Sequence, residues 1–137
     1  MQPEQRSRTI LVVDDEAAVA NQLAELFRRK GYRTIGVTSG EEALRVVDEE
    51  GPPGMVLLDI IMPSMSGIEV LSRLHEQHPK IPVCMLTAMY DEHLMRASFR
   101  LGAFDYVTKP IDFEHLENAV MVHMFDKHEP SEPTIPA

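Results

Sequence analysis

Polar side chains suited to metal and phosphoryl chemistry follow four apolar segments of this chain. Asp59 comes directly after the apolar run VLL and is followed by two isoleucines, an unusual setting for an ordinary surface carboxylate. Asp14, Asp15, Thr87 and Lys109 each follow another short apolar segment in the same way. Three carboxylates, a hydroxyl and an ammonium group are a set that can hold a hard cation and a phosphoryl group.

The elements that must position these side chains alternate regularly along the chain. Five apolar, β-branched segments are each followed by a pattern of helical periodicity. Five such units imply a parallel sheet with helices on both faces. The first, third and fourth strands are almost wholly apolar and the other two are mixed, which places the second and fifth at the edges. This predicts a doubly wound, flavodoxin-like (βα)5 fold with strand order 2-1-3-4-5. The strands are predicted at 9–13, 33–37, 55–58, 82–86 and 104–107.

Local signals mark the ends of the helices. Ser39 with Glu42, and Ser66 with Glu69, have the spacing of capping boxes that open the second and third helices. Gly31 is predicted to end the first helix. The fourth helix is predicted over about 91–101, and the fifth over about 113–125 with Asp112 as its N-cap.

Three aspartates are expected to meet at one edge of this sheet. Ligands of open α/β sheets bind outside the carboxyl ends of the strands. The first and third strands are neighbours in the predicted order, so Asp14, Asp15 and Asp59 converge. Three carboxylates this close need a counter-ion, and Mg²⁺ fits because it requires few of them. A carboxylate beside such a cation can attack phosphorus and form an aspartyl phosphate.

Each residue also has a simpler interpretation when it is taken alone. Asp14 or Asp15 would serve as the N-cap of the first helix, and Thr87 as a turn residue after a strand. Lys109 would be a solvated lysine, and Asp59 a loop residue. Their common position at one edge of the sheet favours a shared site over these separate explanations.

Composition limits the classes of protein to which the chain can belong. It has 137 residues and a net charge of −9, which suits one acidic domain and argues against direct binding of nucleic acid. The chain has neither an apolar run long enough to span a membrane nor a signal peptide, so a cytoplasmic location is expected. The single cysteine, Cys84, is predicted to be a core residue. Domain boundaries are predicted as an N-terminal extension at 1–8, one domain at 9–125, and a flexible tail or linker at 126–137.

Four motifs together resemble the receiver domain of bacterial two-component response regulators: ILVVDDE, VLLDIIMPSMSG, LTA and GAFDYVTKP. The resemblance covers about residues 9–125. It implies that Asp59 is the phosphoacceptor and that Asp14 and Asp15 hold Mg²⁺, with Asp15 the direct ligand. The backbone carbonyl of Ile61 would complete the protein ligands.

The resemblance also implies a switch. Thr87 corresponds to the hydroxyl residue that turns toward the phosphoryl group, and Lys109 to the lysine that pairs with that group. Tyr106 corresponds to the aromatic residue expected to rotate inward when Thr87 moves. The Lys109–Pro110 bond is expected to be cis.

Two further positions bear on how long the phosphoryl group lasts. The resemblance implies that the residues at these positions, Ile61 and Met89, flank the route of an attacking water, and both are apolar. Neither side chain can orient a water molecule, so slow self-dephosphorylation is predicted.

The implied function is a signalling switch that catalyses only its own phosphorylation and dephosphorylation. The expected partner is a histidine kinase or phosphotransfer protein. An output domain or a second copy is expected at a face formed by the fourth helix, fifth strand and fifth helix, which includes Phe99 and Tyr106.

Two alternatives come from other classes of protein, and a third is a receiver that works differently. A Mg²⁺-dependent phosphotransferase enzyme would usually carry an aspartate at position 61, where this chain has isoleucine. A flavin-binding module would need a phosphate loop rich in Ser, Thr or Gly in place of DDEAA. The third is a receiver that acts as an unphosphorylated adaptor, and the complete set of site residues argues against it.

Overall fold

Five strands and five helices alternate in the computed structural model, which describes residues 8–125. The sheet is parallel throughout, with the order β2-β1-β3-β4-β5, so the predicted topology and edge strands are confirmed. No helix in this range is long and apolar enough to cross a membrane. The predicted tail at 126–137 lies outside the described residues. The strands are β1 Thr9–Val13, β2 Arg33–Val37, β3 Met55–Asp59, β4 Val83–Thr87 and β5 Asp105–Thr108; the helices are α1 Ala17–Arg29, α2 Gly40–Glu50, α3 Gly67–Gln77, α4 Glu92–Arg100 and α5 Phe113–Phe125.

Three strands extend one residue further toward the carboxyl edge than the sequence predicted. Asp59 pairs with Leu86 in the ladder between β3 and β4, and Thr87 pairs with Thr108 between β4 and β5. β4 begins at Val83 instead of Pro82, since proline has no N–H to donate to a ladder. Asp59 and Thr87 are therefore the last residues of β3 and β4 and not members of the loops that follow.

The core lies in two layers, one on each face of the sheet. Every residue of β1, β3 and β4 is buried, as expected for strands that are covered on both faces. Alternate residues of these strands face opposite layers. Leu11 and Leu58 pack with the apolar sides of α2 and α3, whereas Ile10 and Leu57 pack with those of α1 and α5. Cys84 is fully buried in the second layer, as predicted.

The predicted serine caps are present, but neither glutamate closes its capping box in the expected way. The hydroxyl oxygens of Ser39 and Ser66 accept hydrogen bonds from the N–H groups of Glu42 and Glu69. The Glu42 carboxylate returns to the N–H of Thr38, one residue before the position expected in a capping box. The Glu69 carboxylate instead pairs with Arg73, one turn further along α3.

The fourth and fifth helices each have an aspartate at the N-cap. Asp91 accepts hydrogen bonds from the N–H groups of His93 and Leu94. Asp91 is therefore the cap of α4, which begins at the next residue. Asp112 accepts from the N–H of His115, and this confirms its predicted place before α5.

Gly67 closes the loop between β3 and α3 against the end of β3. Its N–H donates to the carbonyl of Ile60 at 2.8 Å. A Cβ at position 67 would overlap the carbonyl oxygen of Asp59, so only glycine permits this approach. Gly67 therefore lets the end of the loop pack directly against the backbone of Asp59 and Ile60.

Candidate metal and phosphoryl site

Three carboxylates meet at the carboxyl edge of the sheet, where β1 and β3 end side by side. Oxygen atoms of Asp14, Asp15 and Asp59 all lie within 4.8 Å of one another. The convergence that the strand order predicted is confirmed. Such a group of oxygen ligands could hold a metal ion, and hard divalent cations prefer oxygen.

Asp14 and Asp15 have different environments although they are adjacent in sequence. Asp14 is 1% exposed, and its Oδ1 accepts a hydrogen bond from the N–H of Glu16 at 3.0 Å. Asp15 is exposed. The N-cap of α1 is Glu16 and has no side-chain capping bond, so the interpretation of either aspartate as the cap of this helix is wrong.

Asp59 is buried, and its charge is only partly compensated. Its side chain is 8% exposed, Oδ1 accepts from the N–H of Ile61 at 3.3 Å, and Oδ2 lies 3.5 Å from the Lys109 ammonium. Burial and the neighbouring charge of Asp14 raise the pKa of Asp59 to about 6, and Lys109 only partly opposes them. When its carboxylates are ionised, the site carries more negative charge than Lys109 can offset, and a divalent cation would supply the missing positive charge.

Lys109 joins the end of β5 to the acidic cluster. Its ammonium donates to Asp14 Oδ2 at 2.8 Å, and its backbone N–H donates to the carbonyl of Thr87 at 2.7 Å. Burial acts to lower the pKa of Lys109, but the carboxylates of Asp14 and Asp59 outweigh it and the pKa is raised. The interpretation of Lys109 as a solvated surface lysine is wrong. The Lys109–Pro110 bond is cis, as predicted.

Thr87 and Tyr106 both bind the backbone of Met89. The fully buried Thr87 hydroxyl oxygen accepts from the Met89 N–H at 3.1 Å. The Tyr106 hydroxyl donates to the Met89 carbonyl at 3.0 Å, while its ring packs against the first core layer. Thr87 does make the bond expected of a turn residue after a strand, and Tyr106 binds the backbone of the same residue, Met89, through its carbonyl.

Comparison with known proteins identifies the class to which this site belongs. Residues 10–121 match the family model of the response regulator receiver domain. The chain belongs to this family. As a member, it is a receiver domain of two-component signalling.

Two curated relatives illustrate the range of proteins that contain such a domain. The receiver domain is 40% identical over 104 residues to the alkaline phosphatase synthesis transcriptional regulatory protein PhoP of Bacillus subtilis, covering 76% of this chain and 43% of that protein. It is 36% identical over 115 residues to sporulation initiation phosphotransferase F of the same species, covering 84% of this chain and 92% of that protein. The chain thus spans less than half of the first relative and nearly all of the second.

A solved structure supports the same assignment. The response regulator TrrA of Thermotoga maritima, solved in complex with Mg²⁺ and beryllofluoride, is 33% identical with a TM-score of 0.77. The match covers 85% of this chain and 98% of that chain.

β3 and β4 each end in a site residue of the receiver domain, and each is followed by an exposed apolar side chain. Ile61, two residues after Asp59, is 52% exposed, and Met89, two residues after Thr87, is 49% exposed. The backbone N–H of Ile61 binds Asp59, whereas a metal-binding role for its carbonyl stays a prediction.

Backbone groups in the site were missed by reasoning from side-chain types. The N–H of Glu16 holds Asp14, and the N–H and carbonyl of Met89 bind the hydroxyl groups of Thr87 and Tyr106. Every residue type carries such a peptide group, so no sequence signal marks these positions.

Proposed function

We propose that this receiver domain accepts a phosphoryl group on Asp59 in a Mg²⁺-dependent reaction, and that phosphorylation switches a partner-binding face. The observation that carries the proposal is the group of three carboxylates within 4.8 Å of one another, with the Lys109 ammonium beside Asp14 and Asp59. That arrangement has an excess of negative charge. A cation site would need this excess, whereas an ion pair that only stabilises the fold would not.

The donor set fits Mg²⁺. Asp14, Asp15, Asp59 and the carbonyl of Ile61 would hold the ion, with Asp15 as the most accessible ligand. Bound Mg²⁺ supplies positive charge that lowers the repulsion between a phosphoryl group and the carboxylates.

The chain's own groups carry out the transfer. A carboxylate oxygen of Asp59 forms a bond to phosphorus as the bond between phosphorus and the donor's leaving group breaks, and the leaving group takes that electron pair. Lys109, which lies 3.5 Å from Asp59, pairs with an oxygen of the transferred group. The receiver domain in this way catalyses only its own modification and its reversal.

The switch is proposed to pass through the backbone of Met89, from its N–H to its carbonyl. If the Thr87 hydroxyl turns to the phosphoryl oxygens, it leaves the Met89 N–H that it now binds. The loop is then released to shift, and Tyr106 shifts with it because its hydroxyl binds the Met89 carbonyl. A difference of a few kcal/mol between the two arrangements is enough for phosphorylation to change their populations.

The proposed partners follow from this chemistry. A histidine kinase or phosphotransfer protein supplies the phosphoryl group. An output domain or a second copy uses the face of α4, β5 and α5, on which Phe99 is 45% exposed. Direct contact of this acidic domain with nucleic acid is not part of the proposal.

The test is phosphoryl transfer from acetyl phosphate, followed by intact-protein mass spectrometry. Wild type should gain one phosphoryl group with Mg²⁺ and none with EDTA. Asp59→Asn should gain none, whereas the matched control Asp48→Asn, at an exposed position on α2, should behave as wild type. An unmodified wild type would overturn the proposal and favour an unphosphorylated adaptor. Equal modification of Asp59→Asn would place the acceptor elsewhere.

Phosphoryl lifetime is expected to depend on Ile61. Its side chain is 52% exposed and cannot orient a water molecule for attack on phosphorus. Ile61→Asn supplies one hydrogen bond to such a water, and one bond of this strength changes a rate by about tenfold. Decay of the phosphorylated protein should therefore be about tenfold faster in Ile61→Asn. The apolar control Ile61→Val should decay like wild type, and a short wild-type lifetime would contradict the prediction.

A further inference from the structure

The loop between β3 and α3 contains an unusual backbone conformation at Ser64. Within residues 8–125, Ser64 is the one residue other than glycine with a positive φ, which is 64°. The N–H of Met65 donates to the carbonyl of Pro63 at 2.8 Å and closes a three-residue turn around Ser64. A turn of this kind is strained for a residue with a side chain, and such strain persists only where neighbouring contacts hold it.

The contacts that hold this turn come from the first turn of α2. The Ser64 hydroxyl donates to the Glu41 carboxylate at 3.2 Å. The next residue, Met65, packs against Gly40, since a Cβ at position 40 would lie 3.1 Å from the Met65 sulfur. Gly40 and Glu41 are the first two residues of α2. The loop is therefore held by α2 at two consecutive positions, although Ser64 and Glu41 are 23 positions apart in the chain.

The same short loop carries part of the proposed metal site. Ile61 comes three residues before Ser64, and its N–H donates to Asp59 Oδ1 at 3.3 Å. At the other end of the loop, the N–H of Gly67 donates to the carbonyl of Ile60 at 2.8 Å. Both ends of the loop are thus bonded to the end of β3, while its middle rests on α2. A different φ at Ser64 would redirect the short backbone segment that carries the Ile61 carbonyl.

We propose that Glu41 is a positioning residue for Mg²⁺, which acts through its bond to Ser64 and holds the loop in the conformation that aims the Ile61 carbonyl at the ion. This inference rests on the proposed function and adds a residue from α2 to it. Without the bond, Ser64 relaxes toward an ordinary negative φ. The loop conformation that binds the ion is then less populated, and the apparent affinity falls in proportion.

A glycine at position 64 separates this role from simple attraction between charges. Glycine adopts a positive φ without steric cost, so Ser64→Gly does not need the bond from Glu41. If Glu41 acts by position, its loss weakens Mg²⁺ binding when residue 64 is serine and has no effect when it is glycine. If Glu41 acted only by attracting the cation, its loss would weaken binding equally in both backgrounds.

The experiment is a titration with Mg²⁺ alone, followed by the backbone amide NMR shifts of each protein, which also report whether the variant is folded. Glu41→Ala and Ser64→Ala should each raise the Kd for Mg²⁺ about threefold, as expected for one exposed hydrogen bond. Ser64→Gly and the double variant Glu41→Ala/Ser64→Gly should both bind like wild type. Glu49→Ala, which removes an exposed acid from the last turn of α2, should also bind like wild type.

Two results would overturn the inference while leaving the proposed function intact. One is an unchanged Kd in Glu41→Ala. The other is an equal rise in Kd when Glu41 is replaced in the serine and the glycine backgrounds. Absence of Mg²⁺ binding by wild type would overturn the proposed function and this inference together. The titration of wild type therefore distinguishes the two kinds of failure.

Discussion

Lys109→Met should lower the free energy of unfolding by about 3 kcal/mol at neutral pH without divalent cations. The substitution leaves the buried carboxylates of Asp14 and Asp59 without the ammonium that lies 2.8 Å and 3.5 Å from them. Loss of one partner of a fully buried ion pair costs about 3–5 kcal/mol. Because the Lys109 side chain keeps 19% exposure, we expect the lower end of that range.

Urea unfolding with EDTA present measures this effect. Lys80→Met is a matched control at an exposed position, and it should change stability by less than about 0.5 kcal/mol. Adding Asp14→Asn to Lys109→Met removes one of the stranded charges and should recover part of the loss. Equal stability of Lys109→Met and Lys80→Met would show that the ammonium does not compensate the acidic cluster.

Asp59→Asn should have the opposite effect and raise the free energy of unfolding by about 2 kcal/mol at neutral pH in EDTA. The pKa of Asp59 is raised from 3.8 to about 6 by burial and by Asp14. When the pKa of an acid is higher in the folded protein than in the unfolded chain, the free energy of unfolding falls as pH rises from the unfolded pKa to the folded pKa. The ionised carboxylate therefore destabilises the fold above about pH 6 and has no such effect below about pH 4.

The pH dependence gives this prediction a second readout. The stability difference between Asp59→Asn and wild type should be small below about pH 4, grow between about pH 4 and 6, and then stay constant. Saturating Mg²⁺ should narrow the difference, since the proposed Mg²⁺ site has one more carboxylate in wild type than in Asp59→Asn. Asp48→Asn should show neither change. An unchanged or lower melting temperature of Asp59→Asn in EDTA would count against three crowded carboxylates.

The two stability predictions bear directly on the proposed phosphorylation. Both depend on an excess of negative charge around Asp59 that Lys109 only partly offsets. The same excess is the reason that a cation is proposed for the site. Measurements of stability can thus test the electrostatic basis of the proposal without any phosphoryl donor.

Much of the fold could be predicted because its signals are local. Apolar strands covered on both faces, serine caps and glycine stops can each be recognised within a few residues of sequence. The strand order then follows from which strands are wholly apolar, and it brings Asp14, Asp15 and Asp59 to one edge. The ends of strands were predicted less well, because ladder hydrogen bonds that include Asp59 and Thr87 depend on the neighbouring strand.

The sequence by itself determined the doubly wound sheet and the set of residues at its carboxyl edge. Only the tertiary structure decided which of those residues are buried and which carboxylate lies closest to the ammonium group. Asp14 is buried and Asp15 exposed, and Lys109 lies closer to Asp14 than to Asp59. These choices depend on distances between groups up to 95 positions apart in the chain and on which of them lose their water. Neither quantity can be read from residue types or their spacing.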